Sequence, residues 1–132
     1  MVVLDDLDSA QRWIGDWEAS IRDQAAKTKS FAQQGAGLTA TAADPNRAVE
    51  VTVDSAGGVA ALHLSEQTRK MPAHELSDLI LSVMRAAQAK LAHAMAQVAA
   101  ETLGEQSEAA RAIVTSYERR FATATGDDDG RG

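Results

Sequence analysis

The chain has 132 residues, a 45% hydrophobic content and a formal net charge of −6; that leaves room for one modest core and excludes wholesale disorder. Cysteine is absent, which excludes disulfide frameworks, thiolate metal sites and cysteine nucleophiles. No apolar run approaches the roughly 20 residues that span a bilayer, and Asp5, Asp6 and Asp8 stand where a secretory signal would be basic, so a cytoplasmic protein is expected.

Residues 5–33 contain no proline and repeat their apolar positions every seven residues, which predicts a helix. One column is Leu7, Ile14, Ile21 and Thr28, and the other is Ala10, Trp17, Gln24 and Phe31. A seam of this kind needs a partner surface, and Trp17 and Ile21 are its natural packing anchors. The sequence from Gln33 to Gly37 ends the helix. Leu38–Ala42 reads as a short strand and Asp44-Pro45-Asn46 as a turn. Ala48–Asp54 alternates strictly, with Val49, Val51 and Val53 on one face and Glu50, Thr52 and Asp54 on the other. Ser55-Ala56-Gly57-Gly58 supplies a turn, and Val59–Ser65 alternates again with Ala60, Leu62 and Leu64 on one side. The pattern predicts an antiparallel hairpin covered on one face by helices.

After a polar connection holding Arg69 and Lys70, Pro72 marks the start of a long helix that Gly104 ends. Leu76, Ile80, Val83, Ala87, Leu91, Ala94 and Val98 make a stripe suited to covering the sheet, with Met84 and Met95 at its edge. Alanine fills eight of the fifteen positions from Ala86 to Ala100. So small a face invites a second helix against Ala89, Ala92 and Ala96, and it motivates a homodimer. Glu105–Phe121 reads as a C-terminal helix with Ala109, Ile113 and Tyr117 or Phe121 inward. The expected organisation is one domain over 1–121 with a disordered acidic tail at 122–132.

Catalysis needs converging groups, and the sequence offers no motif that announces them. His63, His74 and His93 lack metal-ligand spacing. Gly35-Ala36-Gly37 lacks the third glycine and the Lys-Ser or Lys-Thr of a phosphate loop. Glu50 with Asp54 reads as a solvated strand face, and Glu75 with Asp78 as charge at a helix start. Trp13-Ile14-Gly15 spells the W-x-G of small secreted helical hairpins, but it lies inside a helix that a β-hairpin follows. Trp13 is accordingly read as a packing residue rather than a base-stacking one. No enzyme, cofactor, metal or small-molecule substrate is expected.

The order helix, three short strands, long helix resembles the YbaB/EbfC nucleoid-associated proteins, above all their shorter, more acidic actinobacterial-type variants. The residues that carry it are Val49-Glu50-Val51-Thr52-Val53-Asp54, the Gly57-Gly58 turn, Val59 through Leu64, and Glu75-Leu76 followed by Leu79-Ile80, Val83, Ala86-Ala87, Gln88 and Lys90. The resemblance covers residues 5–100 or so. It implies an α+β fold of two layers in the order α-β-β-β-α, here with an added helix. It further implies a cytoplasmic, nucleoid-associated homodimer that binds DNA with little sequence preference, without a cofactor or enzymatic activity.

Two departures bear on that expectation, the added helix and the acidic Asp127-Asp128-Asp129 tail. Without residues 127–132 the body still holds 12 basic and 16 acidic residues, so DNA contact requires clustering. Candidate clusters are Arg22, Lys27 and Lys29 near the end of the first helix, and Arg69 and Lys70 with Arg85 and Lys90 around the second. The rival expectation is a protein-interaction adaptor or chaperone-like accessory factor, for secretion or DNA repair, that keeps the dimer scaffold and a protein partner but not DNA affinity. The acidic balance favours that rival.

Overall fold

The computed structural model describes residues 2–122, so all but the first residue of the expected acidic tail lies outside the described residues. Helix α1 runs from Val2 to Ala36, about 52 Å at 1.5 Å per residue. It is longer than the periodic stretch because nothing breaks it before Gly37. Where α1 crosses the next long helix, a Cβ on Gly35 would stand 3.2 Å from the Met95 sulfur, so glycine permits the close approach there. Phe31 packs against the core on the same side.

Three strands follow, β1 (Ala40–Ala43), β2 (Val49–Val53) and β3 (Val59–Leu64), paired antiparallel in the order β1-β2-β3. The β1–β2 turn is built on Asp44, whose carboxylate accepts from the Val49 N–H at 2.7 Å and the Asn46 N–H at 3.1 Å. These bonds, the one from Val49 foremost, hold the buried Asp44 carboxyl below the usual carboxylate range against the opposing effect of burial. The β2–β3 turn repeats the device: the Asp54 carboxylate accepts from the N–H groups of Ala56 and Gly58, both at 3.0 Å. Gly57 takes φ +90° in that turn. Across the strands Val51 faces Leu62 and Thr52 faces Ala61, and a bulge then sets Val53 opposite Val59, leaving Ala60 as the extra residue.

Val49, Val51 and Val53 are buried, as their alternation predicts. The cover is helix α2 (Ala73–Leu103), which a 3-10 turn at Glu66–Lys70 precedes and Gly104 ends at φ +97°. It packs on β1 and β2, whereas every residue of β3 stays exposed. Helical cover of the sheet is therefore partial, and Val59, Leu62 and Leu64 are each about half exposed. The expected stripe holds for Leu76, Ile80, Val83, Ala87 and Leu91 and then shifts to Ala92, Met95 and Ala99, while Ala94 and Val98 are only half-buried. Strands of this length reach about 20 Å and α2 about 46 Å. The second half of α2 thus lies beyond the sheet and turns its buried side towards other helices.

One of those is α3 (Glu108–Tyr117), whose first turn is capped by the Ser107 hydroxyl accepting from the Ala110 N–H at 3.1 Å. A π-helical turn, Glu118–Ala122, is the last element among the described residues. The helix begins later than the expected Glu105, and its inward residue is Ala110 rather than Ala109, followed by Ile113 and Tyr117. The wider π turn carries Phe121 into the core as well. The Tyr117 hydroxyl donates to the Ser55 carbonyl at 3.1 Å, which ties this end to the β2–β3 turn.

Candidate nucleic-acid interface

The basic residues singled out from sequence fall on three elements. Arg22, Lys27 and Lys29 stand on α1, whose side chains from residue 6 to 29 are all exposed. Arg22 and Lys29 are seven residues apart and differ by about 20° around the helix, so they share a face. Lys27 pairs with Asp23 at 3.2 Å and lines a groove with Gln24, Thr28 and Leu103, where α1 meets the end of α2. Arg69 and Lys70 close the 3-10 turn, with Arg69 held 3.1 Å from Glu66. Arg85 and Lys90 lie on α2, but five residues put them about 140° apart, so they do not form one patch. Arg85 is half-buried with an interaction of its own, and the Lys90 ammonium donates to the Thr41 carbonyl at 3.0 Å. Among the described residues, Arg22, Lys29 and Lys70 form no ion pair.

A second basic surface escaped the sequence reading. Arg111, Arg119 and Arg120 line one shallow groove of about 520 Å³ with Ala112, Thr115 and Ser116 on α3 and its π turn. The spacing gave little signal, since eight residues on a regular α-helix put 111 and 119 about 80° apart, and the π turn that brings them into one groove is not legible in the sequence.

The packing candidates divide as well. Ala92 is closed into the chain's own core. Ala96 faces α3 across a groove lined by Ala100, Ala110 and Val114, and Ala89 is half-buried. At Ala96 the neighbouring helix is α3 of the same chain. Trp17 and Ile21 stand otherwise: they are 54% and 49% exposed, in a stripe with Leu7, Trp13 and Ile14 that is left exposed among the described residues. The Trp13 and Trp17 rings stack with centroids 6.5 Å apart and planes 10° from parallel.

Among the described residues no three His, Asp or Glu side chains converge to hold a metal ion, and no helix is long and apolar enough to cross a membrane. Residues 13–106 match the YbaB/EbfC DNA-binding family. No curated protein and no solved structure gives a significant match.

Proposed function

Because the chain belongs to the YbaB/EbfC DNA-binding family, we propose that it is a nucleoid-associated protein that binds duplex DNA as a homodimer, with little sequence preference, to organise DNA or regulate genes in the cytoplasm. The family match over residues 13–106 is the observation that carries DNA binding. The structure supports the finer reading in two ways. A 35-residue helix whose Leu7, Trp13, Ile14, Trp17 and Ile21 are exposed has too much bare apolar surface for a chain that acts alone, and a second copy offers the same stripe in return. The unpaired Arg22 and Lys29 on one face of that helix suit phosphate contacts, and a dimer presents them twice.

Titration of the purified protein into labelled duplex at about 50 mM and then about 200 mM salt tests the reading, because phosphate contacts make retention fall steeply with salt. Lys27→Glu with Lys29→Glu, and Arg69→Glu with Lys70→Glu, weaken retention if those residues reach the backbone. Unchanged retention in both rejects these sites.

The net charge of −6 and the bare Trp13–Trp17 stack favour a second reading, an interaction adaptor on the same dimer scaffold. It predicts no retention of DNA even at low salt.

A further inference from the structure

The α3 groove gathers three arginines in one place, whereas several other basic residues of the chain are already paired with acids. Arg12, Lys27 and Arg69 each sit within 2.9–3.2 Å of an acid three or four residues away, so a phosphate would have to compete with a carboxylate already in place. The groove is lined by Arg111, Ala112, Thr115, Ser116, Arg119 and Arg120 and by no acid, with Glu105 near Arg111 in the adjoining groove, in a chain whose acids outnumber its Lys and Arg by 19 to 13. Its arginines are held by neutral groups instead. Arg111 reaches the Gln106 side-chain oxygen at 3.3 Å, and Arg120 donates to the Ala56 carbonyl at 3.4 Å. The Arg120 guanidinium also lies 4.7 Å from the centre of the Phe121 ring, which fixes its position without neutralising it. Arg119 forms no ion pair among the described residues.

We propose that this groove is a phosphate-binding site for the nucleic-acid backbone, with Arg111 and Arg119 as its principal contacts and the Thr115 and Ser116 hydroxyls as additional donors. Guanidinium groups are suited to it because their fork of donors matches two oxygens of one phosphate. The spacing allows it too: eight residues of helix set Arg111 and Arg119 about 12 Å apart along the axis, enough to reach different phosphates of the backbone. The site lies on α3 and the π turn, beyond residues 13–106 of the family match. It is therefore a contact that this chain adds to the family scaffold. The proposal rests on the DNA-binding reading above and locates contacts which that reading does not require.

The test is a salt titration of duplex retention with the full chain and the pair Arg111→Gln with Arg119→Gln; Arg120 is left in place because it packs on Phe121. Both targets are exposed, so an unchanged thermal melt and sedimentation profile are expected. Loss of two phosphate contacts makes the log–log salt dependence shallower by about 1.8. Over the fourfold change from about 50 to about 200 mM salt, the variant then loses about 12-fold less affinity than the parent does for one engaged chain, and more where both chains of a dimer engage. Arg111→Lys with Arg119→Lys retains both charges and keeps most of the slope. A glutamine pair with the parent's affinity and slope overturns the proposal and leaves the family's DNA binding standing. A lysine pair that falls as far as the glutamine pair overturns it as well, since charge is then not what was lost. A parent chain that retains no duplex at low salt rejects the site and the DNA-binding reading together.

Discussion

Gly57→Ala provides the most demanding test of how the C-terminal segment is held. Gly57 has φ +90°, and a Cβ built on it would stand 2.4 Å from Phe121 Cζ and 2.8 Å from Cε1. Two costs follow. A left-handed alanine is strained by about 1–2 kcal/mol, and the Phe121 ring, now 8% exposed, must leave its place and lose about 1.5–3 kcal/mol of burial. The sum, about 2.5–5 kcal/mol, corresponds to a fall in melting temperature of roughly 10–20 °C for a domain of this size. Circular dichroism melts of Gly57→Ala, Phe121→Ala and the double variant separate the two costs. Phe121→Ala alone costs about 3–5 kcal/mol. With the ring already gone, Gly57→Ala should cost only its backbone strain, which leaves a coupling of about 1.5–3 kcal/mol between the sites. Equal costs of Gly57→Ala in both backgrounds would refute the packing of Phe121 over the turn.

Trp17→Glu with Ile21→Glu places two charges on the bare α1 stripe and should give a monomer by sedimentation at micromolar concentration; an unchanged mass, or a parent that is itself monomeric, removes α1 from the dimer interface. Asp44 contributes to stability in its charged form, because its folded pKa lies below the unfolded value. That contribution is full above the ordinary carboxylate range and fades as pH falls through the lower folded value. Asp44→Asn should therefore melt lower at neutral pH and show a flatter loss between about pH 5 and about pH 2, and an acid limb identical to the parent's contradicts this. Leu91→Ala, at a position with no exposed surface, should cost about 2–5 kcal/mol in urea unfolding.

Where one helix or strand carries its own periodicity, its fate was readable in the sequence. Val49, Val51 and Val53 alternate because one face of β2 meets α2, and the seven-residue recurrence on α1 survives as its apolar stripe. What covers a stripe was not readable, because that is a property of two surfaces. The alanines of α2 read as a close-packing face, and in the chain Ala96 and Ala100 line a groove with Ala110 and Val114 of α3. The π turn had no signature either, since it arises from the pull of Phe121 into the core over the distant Gly57. At the candidate site, Asp23 four residues before Lys27 and Glu66 three before Arg69 were legible as helical ion pairs. Weighing them would have shifted attention from those cations to Arg119, though not to Arg111, which Glu108 precedes by three residues.

The exposed third strand sets a condition on how the chain can exist. β3 is at the rim of the sheet and bears Val59, Leu62 and Leu64 half exposed, and it has no lysine or proline, two of the residues that discourage further strand addition. A separated chain is thus a template on which another copy can extend the sheet out of register. Higher concentration, or any substitution that leaves the β3 edge barer, promotes such misassembly. The solubility ceiling of this protein then follows what covers β3 more closely than the melting point of its own core.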